Sequence, residues 1–482
     1  MTDSSMLMST EAATMPSIGV SNYEPLTRLG LTYEVFGARM SYSDKIVWAE
    51  SPSGYTQGYP YLGGIQISME PASGWSLGLN RLVQFGGGAR GGASLSRLVE
   101  ALINPSRYSN TNPHLSTDQK ATNQEASVTS SLIVPARVPF VVYAEYAGED
   151  TSRGRNYLLG NSALSWGINF PRLPGRLDLT LEASEWQNAW YVHSVWQDGM
   201  TNYGIVVSHW FGDQRVFNND VGGHSAMARL GWDASFGGRI ELRYRTLQNQ
   251  NYEVHSYQPF HETSLSYSRP VRGVIVGGEF DTGSDVFGKS FSRVAGFVRY
   301  DDPKAQSPVS VGSATGAGAD SDKNYELFVA AGVNAFRANI SITELTPRTD
   351  TPLMHAGDFG LGARRFVSEH SDLGARVDFD EFDGHSLIGV RLIDYRYRFS
   401  RHFAVSASLG AARYDLATPA YGFYYAAALQ WRDMVPHLDL GLEGRYYDTV
   451  ARDRLLPGEP QTSRPDSFYD IYGSVLSLTY HF

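Results

Sequence analysis

The last seven residues of the chain, 476–482 (LSLTYHF), alternate large apolar side chains with polar ones and end on an aromatic residue. Because successive residues of a β-strand point to opposite faces, this segment predicts a strand with one apolar and one polar face. Bacterial outer-membrane barrels have such strands, with the apolar face toward lipid and the polar face toward the lumen. The segment therefore predicts a fold that is inside out relative to a soluble protein.

The composition agrees with a transmembrane barrel. The 482 residues include 29 Tyr, 23 Phe, 9 Trp and 49 Gly, yet the mean hydropathy is slightly negative. No stretch reaches the roughly 20 apolar residues that a membrane-spanning helix requires. A barrel places lipid contacts at every second residue, so its average composition resembles that of a soluble protein. We therefore interpret the aromatic excess as girdles at the membrane interfaces.

Charge and cysteine content exclude several classes of binding site and partner. The chain has no cysteine, which excludes disulfides and thiolate metal sites. The net charge of -10 argues against nucleic acid as a partner. An anionic glycan would need local basic loops or bridging cations. We expect no cofactor and no metal.

The carboxyl-terminal part predicts a small closed barrel. Alternating segments near residues 325–343, 356–366, 371–380, 386–399, 403–409, 419–431, 438–443 and 476–482 give about eight strands, the smallest usual closed barrel. A barrel this narrow is filled by side chains. We expect a satisfied salt-bridge network in its lumen, formed by Asp394, Arg396, Arg398, Asp439, Glu443 and Arg445.

A stretch rich in Gly, Ala, Ser and Pro, residues 302–323, precedes this block and predicts a flexible linker. It divides the chain into a first domain, residues 1–301, and a second domain, residues 324–482. In the first domain, alternation predicts about thirteen strands, near residues 27–35, 38–48, 61–69, 75–85, 127–134, 138–147, 161–170, 177–186, 223–233, 238–247, 260–268, 272–281 and 291–300. Charged faces, as in residues 239–245, must line a lumen.

Thirteen is an odd number, whereas bacterial single-chain barrels have even strand numbers. The first six residues are polar and acidic, with no apolar core of a signal peptide after them. Either the protein stays in the cytoplasm or this start is not the biological one. We expect an amino-terminally truncated chain that lacks the first strands of its larger barrel.

Long connections carry the functional candidates, since recognition in barrels sits mainly on loops. One loop, residues 86–127, contains a helical spacing at 94–103 that could fold over the mouth as a plug. A second, residues 148–155, contributes Glu149, Asp150 and Arg153. The third, residues 185–223, supplies Trp186, Trp190, Tyr191, His193, Trp196, Asp198 and Tyr203.

The third loop has the residue types of a sugar-binding site. Sugar rings present a flat C–H face and a rim of hydroxyls, which call for aromatic platforms beside directional polar groups. The alternative is that these aromatic residues form part of the interface girdle or pack the loop onto the rim. Residues 204–211 could also be a strand paired with residues near 190–197.

Catalytic signals are weak. His224 and Ser225 are strand neighbours that point to opposite faces and lack a nucleophile elbow. The carboxylates at 149–150 and 380–383 lack a calcium-loop spacing and read as solvated loop charge. The glycines at 86–88 are not followed by the Lys-Ser or Lys-Thr of a phosphate loop. We therefore expect no enzymatic activity.

Three blocks resemble the Wzi capsule-assembly family. They are residues 75–88 (WSLGLNR continuing to QFGGG), residues 143–150 (YAEYAGED), and the aromatic region with Asp198-Gly199 followed by residues 222–224 (GGH). The likeness covers about residues 60–300. It implies an eighteen-stranded outer-membrane barrel that acts as a surface lectin and holds capsular polysaccharide. The family's amino-terminal helical part and first strands are missing here, and residues 324–482 lie outside the likeness.

The sequence thus predicts an all-β, non-enzymatic outer-membrane protein that attaches capsular or exopolysaccharide to the cell surface. Expected partners are outer-membrane lipid, lipopolysaccharide and the barrel assembly machinery, with a monomer as the oligomeric state and no nucleic acid. The alternative function is a porin or polysaccharide export channel. The charged lumen of the first domain supports this alternative. An outer-membrane hydrolase would need a Ser, a His and an acid at one site, and no such set is present.

Overall fold

The computed structural model describes most of the chain. The described residues are 4–9, 12–22, 24–27, 29–91, 99–101, 104, 107, 114–149, 151, 158–187, 190–214, 221–250, 256–271, 273–300, 325–341, 347–416, 419–453 and 466–482. The predicted linker at 302–323 lies outside these residues, as does most of the predicted helix at 94–103, of which residues 99–101 are helical.

The described residues before 301 contain seventeen strands. They are β1 (Ser17–Ser21), β2 (Thr32–Arg39), β3 (Ser43–Val47), β4 (Tyr55–Gly58), β5 (Tyr61–Ala72), β6 (Trp75–Phe85), β7 (Thr122–Val134), β8 (Phe140–Glu149), β9 (Ser162–Leu173), β10 (Leu177–Trp186), β11 (Thr201–Asn202), β12 (Ile205–Val206), β13 (Gly223–Asp233), β14 (Arg239–Asn249), β15 (Phe260–Val271), β16 (Val274–Ser284) and β17 (Ser290–Tyr300).

Thirteen of these strands form one antiparallel sheet, which we call the large sheet. Its order is β1-β2-β5-β6-β7-β8-β9-β10-β13-β14-β15-β16-β17, so each strand pairs with the preceding and following strands of the same sheet. The hairpins β3–β4 and β11–β12 stand outside it. Among the described residues, β1 and β17 form the two edges and do not pair with each other. The large sheet is therefore an open wall.

The predicted count of thirteen is confirmed, but the front of the sheet was assigned wrongly. In place of the segments predicted at 27–35 and 38–48, the large sheet contains β1 and β2. Strand β3 lies in a separate hairpin. Five residues of β1 carry too short an alternation to be recognised, and the alternating residues of β3 pair with β4 rather than with the wall. Alternation indicates a strand but does not reveal its partner.

In the described part of the chain after residue 324 there are nine strands. They are β18 (Tyr325–Ser341), β19 (Thr349–Asp350), β20 (Met354–Phe366), β21 (Ser371–Phe382), β22 (His385–Arg398), β23 (Phe403–Tyr414), β24 (Ala420–Val435), β25 (Leu438–Asp453) and β26 (Asp466–His481). Pairing of β18 with β26, from Phe328 opposite His481 to Ser341 opposite Phe468, closes eight long strands into a ring. Short β19 pairs only with β18. We call this ring the small barrel, and it confirms the eight predicted strands.

The small barrel has the predicted inside-out surface. In β26, Leu476, Leu478 and Tyr480 are exposed, whereas Ser477 and Thr479 are buried in the lumen. The final Phe482 donates its backbone N–H to the carbonyl of Leu327, 2.9 Å away, which fixes the chain end to the first strand of the ring. An apolar exterior around a polar interior is the surface of a membrane-spanning barrel.

Charged side chains fill the lumen of the small barrel, as predicted. Arg445 lies within 2.7 Å of Asp358 and Asp380, and Arg391 lies 2.7 Å from Asp378. The luminal network contains the six predicted residues and eight further charged residues, which are Glu326, Asp358, Arg364, Asp372, Arg376, Asp378, Asp380 and Arg391. Every charge in this group has a counter-charge, which buried ions require.

Among the residues that the structure describes, helical structure is limited to short segments. The 3-10 helices are Gly88–Arg90, Thr117–Gln119 and Trp210–Gln214. None of the helices in the described part of the chain has the length and apolar character to cross a membrane.

Candidate functional site

The two ends of the large sheet differ in their connections. At one end the strands are joined by short turns, such as the one between Leu173 and Leu177. At the other end lie the long connections 40–60, 86–121 and 187–222. In outer-membrane barrels the short turns are periplasmic and the long loops extracellular. We call the three long connections, where described, the cap, because they cover the extracellular mouth.

Backbone pairing joins two of these connections. The N–H of Val47 in β3 donates to the carbonyl of Val195 at 2.8 Å, and the N–H of Gln197 donates to the carbonyl of Lys45 at 3.0 Å. Ile46 and Trp196 form the bridge between them. Residues 195–197 thereby extend the β3–β4 hairpin by one more short strand. The aromatic loop is thus part of an ordered layer over the mouth.

The third connection is fixed by Arg90. Its guanidinium donates to the carbonyls of Val47 at 2.7 Å, Lys120 at 2.8 Å and Thr117 at 3.1 Å. Burial lowers the pKa of Arg90, and the nearby Asp118 carboxylate opposes that shift. Since five fixed donors make arginine suited to several acceptors at once, this one side chain links the β3–β4 hairpin with both ends of the 86–121 connection.

The glycine tract 86–88 forms the turn below the aromatic loop. The φ values of Gly86, Gly87 and Gly88 are 68°, 94° and 58°, a region that side chains disfavour. A Cβ on Gly87 would lie 2.8 Å from the side chain of Ile46. The indole N–H of Trp196 donates to the carbonyl of Gly86 at 2.9 Å. The tract is therefore a structural turn that accepts the aromatic loop.

The aromatic loop itself packs inward. Trp186 stacks on Phe211, with ring centroids 3.8 Å apart and an interplanar angle of 8°. Tyr191 tilts against the same Phe211 ring at 5.4 Å. These rings belong to one buried cluster, with Met6, Leu7, Ala38, Met40, Leu62, Leu82, Ala147, Ala163, Trp190, Met200, Val206, Val207, Trp210, Val221, Leu247, Tyr257, Phe260 and Val286. The cluster packs the cap against residues of the wall strands.

Two buried histidines act as hydrogen-bond acceptors in this loop. Nδ1 of His193 accepts the backbone N–H groups of Val195 at 3.0 Å and Trp196 at 3.4 Å. Burial, together with the positive charges of Arg90 and Lys120, lowers the pKa of His193 to about 3. Nδ1 of His209 accepts the N–H of Phe211 at 3.1 Å, and burial also lowers its pKa. Both are neutral and structural at pH 7.

The structure separates most of the residues that the sequence grouped as one site, although Trp196, Asp198 and Tyr203 line a common cleft. Trp186, Trp190, Tyr191, His193 and Trp196 are buried in the cap, so their rings contact protein. Glu149 ends β8 and is only 1% exposed, whereas Asp150 and Arg153 lie outside the described residues. Tyr203, 77% exposed, and the partly exposed Asp198 remain accessible. The tryptophans therefore occupy the positions expected from the alternative interpretation, in which they pack the loop onto the rim of the barrel.

The strand pairing considered for this loop is also wrong. Residues 204–211 do not pair with residues 190–197. Instead, two-residue strands β11 and β12 form a small hairpin, and Trp210–Gln214 is a 3-10 helix. Apolar residues at 205–211 alternate poorly because they contribute to a packed interior rather than to a wall.

An open cleft of about 350 Å³ lies on the outer side of the cap. Asp198 stands at its edge, accepting the hydroxyl of Ser43 at 2.6 Å and facing the ammonium of Lys45 at 3.4 Å. Its lining residues are Ser41, Tyr42, Ser43, Pro60, Gln84, Trp196, Asp198, Gly199, Thr201, Tyr203 and Gly204. The cleft thus combines hydroxyl, amide and carboxylate groups with aromatic rings.

Exposed tyrosines surround this cleft. Tyr42 and Tyr59 meet edge to face, with ring centroids 5.6 Å apart, and both are about half exposed. The guanidinium of Arg39 lies 4.8 Å from the Tyr59 ring centre. The Tyr55 hydroxyl donates to Gln197 at 3.3 Å. We call Tyr42, Tyr55, Tyr59 and Tyr203 the tyrosine rim. Its rings have faces that are free of the buried cluster.

Sequence reasoning missed the β3–β4 part of this site. Tyr42, Ser43 and Lys45 were assigned to a wall strand at 38–48, which gave them no functional role. The signal was the density of tyrosines between residues 42 and 61, interrupted by Ser, Gln and Gly. Such a composition is typical of adaptable binding loops.

A second cavity, of about 540 Å³, lies under the cap on the concave face of the large sheet. Its lining includes Asn80, Arg81, Tyr143, Glu182 and Arg229. Ser5, Leu7 and Met8 also line it, and the N–H of Met6 donates to Glu145 at 2.8 Å. Within the described ranges, no group of three His, Asp or Glu side chains is arranged to hold a metal ion.

An apolar outer wall, a polar concave face and a packed extracellular cap define this molecule as a membrane β-barrel protein with a covered mouth. A family model described as "Capsule assembly protein Wzi" matches residues 2–267. The match spans more than half of the chain, and the protein belongs to this family. The small barrel lies beyond the matched residues. A search of curated proteins gave no match.

Several solved structures resemble the chain. Wzi of Escherichia coli, described as an outer membrane protein involved in group 1 capsule assembly and a carbohydrate-binding β-barrel, is 15% identical, with 62% of this chain and 64% of that chain covered and a TM-score of 0.46. The chain thus spans 64% of the length of that protein. The ferric preacinetobactin receptor BauA of Acinetobacter baumannii is 10% identical, with 97% and 77% covered and a TM-score of 0.31.

Proposed function

We propose that the protein is a non-enzymatic outer-membrane component of capsule assembly that binds capsular or exopolysaccharide at the cell surface. The observation that carries this proposal is the cleft beside Asp198 with its tyrosine rim. Family membership supports the role in capsule assembly. The buried tryptophans support the cap, and the exposed tyrosines provide the contact surface.

The chemistry of the cleft suits a sugar chain. Tyrosine rings offer apolar faces for sugar C–H groups and retain a hydroxyl for hydrogen bonding. The Asp198 carboxylate accepts the hydroxyl of Ser43 and has further lone pairs for sugar hydroxyls. Next to the cleft, Gln57 accepts the hydroxyl of Tyr42. A cleft on the outer side of the cap is open to a polymer, which can lie across it without entering the barrel.

The expected partners follow from this placement. The apolar outer walls would contact outer-membrane lipid and lipopolysaccharide, and the barrel assembly machinery would insert both domains. We propose that the protein acts as a monomer without a cofactor. We also keep Trp186, Trp190, Tyr191 and His193 in the proposal, as buried residues that hold the cap in place. Trp196 lines the cleft and stays in the proposal as a contact residue. We also retain Glu149, which is buried at the end of β8.

Binding of purified polysaccharide to the detergent-solubilised protein tests the proposal. Replacing Tyr42 and Tyr203 with Ala should weaken binding at least about fivefold, or about 1 kcal/mol, for each lost contact. Asp198→Asn should weaken it further. Unchanged binding by the variant with all three substitutions would contradict the assignment of the cleft.

Matched controls separate binding from folding. Tyr395→Ala and Tyr472→Ala remove exposed tyrosines from the outer wall of the small barrel, far along the chain from the cap. They should leave polysaccharide binding unchanged. All variants should retain the heat-dependent gel mobility shift of a folded barrel.

A porin or export channel remains the second candidate, favoured by the 540 Å³ cavity on the concave face. Leu7 and Leu82 of the buried cluster line that cavity, which favours a covered lumen. A covered barrel should pass little current in planar bilayers. Sustained conductance by the intact protein would favour the channel.

A further inference from the structure

The outer wall of the large sheet touches the outer wall of the small barrel. Tyr146 of β8 meets Phe423 of β24 edge to face, with ring centroids 5.5 Å apart. Around this pair, Leu164, Leu392 and Tyr421 are buried in one cluster drawn from both domains. These residues alternate with luminal ones along their strands, so they occupy the face that a lone barrel would turn toward lipid.

A second apolar cluster continues the contact toward the periplasmic end. It contains Trp75, Leu132 and Val134 of the large sheet together with Leu373 of the small barrel. Near it, the hydroxyl of Tyr325 donates to the carbonyl of Ile133 at 3.0 Å. The contact therefore runs along most of the height of both walls.

An ion pair crosses the contact at the extracellular end. Glu185 near the end of β10 accepts two hydrogen bonds from the guanidinium of Arg413 in β23, one of them from Nη2 at 3.0 Å. Glu185 interrupts the otherwise apolar outer face of β10, on which Leu179, Leu181 and Ala183 precede it. A lone charge on a lipid-facing wall is costly, most of all near the bilayer centre. Arg413 is the counter-charge of Glu185, and it pairs in addition with Asp415 of its own domain at 3.0 Å.

Backbone polarity is also matched across the contact. The register of β22 shifts between Arg391 and Ile393, which leaves Leu392 without a paired residue in that ladder. The carbonyl of Leu392 accepts the hydroxyl of Ser130 at 3.1 Å, and Ser130 accepts the indole N–H of Trp75 at 3.0 Å. An unsatisfied carbonyl in lipid is strongly unfavourable. Here a β-bulge on one domain is satisfied by a hydroxyl on the other.

A glutamine completes the set at the extracellular side. Gln187 donates through Nε2 to the carbonyls of Ala451 at 2.7 Å and Pro419 at 3.2 Å. Extracellular ends therefore meet extracellular ends, and periplasmic ends meet periplasmic ends. Side-by-side walls with the same orientation are what two barrels in one membrane require.

We infer that the outer face of β6–β10 is a barrel-docking surface, and that its partner is the small barrel formed by residues 325–482. Docking is specific, because the Glu185–Arg413 ion pair and the Ser130–Leu392 hydrogen bond match polar groups that lipid cannot satisfy. The two domains form a lateral pair in the membrane that does not depend on their covalent connection.

Cleavage of the connection tests this inference. A protease site is inserted between residues 302 and 323 of the full-length protein, which is cut after purification in detergent. The two parts should remain together on an affinity tag attached to one of them. Glu185→Arg and Arg413→Glu should each lower the retained fraction at least tenfold, because like charges then face each other. The double exchange should restore retention.

Controls keep the outcome decisive. Asp178→Asn removes a carboxylate from β10 that pairs with Arg239 inside the large sheet, and it should leave retention unchanged. Heat-dependent gel mobility of each cut part reports that both barrels stay folded. Separation of the cut wild-type parts, or retention that neither single exchange lowers, would overturn the inference.

Discussion

Trp186 and Phe211 lie face to face with ring centroids 3.8 Å apart, so the ring that composition marks as a sugar platform is covered by protein. Trp186 ends a wall strand, whereas Phe211 belongs to the loop that returns over the mouth. Their stacking therefore ties the cap to the barrel wall. A platform for a ligand must leave one ring face free, which the tyrosine rim does.

We expect Trp186→Ala to loosen the cap. Truncation of a fully buried tryptophan typically costs about 3–5 kcal/mol, because it removes packing and leaves a cavity. Limited proteolysis of intact cells, with protease added outside, should show faster cleavage within residues 187–222. Trp431→Ala, on the outer wall of the small barrel, is the matched control. Equal protease sensitivity of the two variants would argue against the packing role.

Arg90→Ala should release the β3–β4 hairpin from the rest of the cap. The change leaves the carbonyls of Val47, Thr117 and Lys120 without their donor, and each lost bond to a charged group is worth about 1.5–3 kcal/mol. Urea unfolding followed by tryptophan fluorescence should show a lower midpoint. Arg39→Ala, at the exposed end of β2 next to the cap, should show little change, and a similar loss there would contradict the prediction.

Cap stability should fall with acid because of His193. The pKa of His193 is about 3 in the folded cap, whereas an unfolded histidine has a pKa near 6.5. Between these values the unfolded state binds the additional proton, so stability is complete above about pH 6.5 and declines as the pH falls toward 3. The slope is about 1.4 kcal/mol per pH unit for this one group.

Unfolding midpoints measured between pH 4 and pH 7 test that prediction. His193→Asn should flatten the dependence, although its midpoint at pH 7 should also be lower. His437→Asn, at an exposed turn of the small barrel, should keep the slope of the wild type. An unchanged slope in His193→Asn would assign the acid sensitivity to other groups. Among them, His209 is the other buried histidine of the aromatic loop.

Asp378→Asn should destabilise the small barrel by about 3–5 kcal/mol, the usual cost of breaking a buried ion network. Asp378 contacts Arg376, Arg391 and Arg445, which would then lose a shared counter-charge. The temperature at which the gel mobility shift disappears reports the change. Asp350→Asn, at an exposed position, is the control and should behave as the wild type.

The walls of both domains could be predicted from sequence because lipid imposes a strict rule on every second residue. Leu476 and Leu478 face outward and Ser477 inward, as their alternation indicates. The same rule predicted that Asp394 and Arg396 face the lumen, and both are buried there. Where the chain leaves the wall, at Ser43 to Gly58, the rule no longer applies and the prediction failed.

The site was harder to predict, since the same residue types serve two purposes. Composition alone does not distinguish Trp196, which donates to a backbone carbonyl below the cap, from Tyr203, which is exposed. The difference depends on the pairing of residues 195–197 with β3, a contact between segments about 150 residues apart. The docking of the two walls was likewise hidden, although Glu185 already marked an irregular position on the apolar face of β10.

The filled lumen of the small barrel has an electrical consequence. Arg391, Arg396 and Arg445 each share hydrogen bonds with at least two acidic side chains, so these charges are held in fixed positions along the axis. A voltage across the membrane acts only on charge that can move. Among the described residues, the small barrel therefore offers neither a path for ions nor a carrier that could respond to the field, and it should behave as an electrically silent part of the envelope.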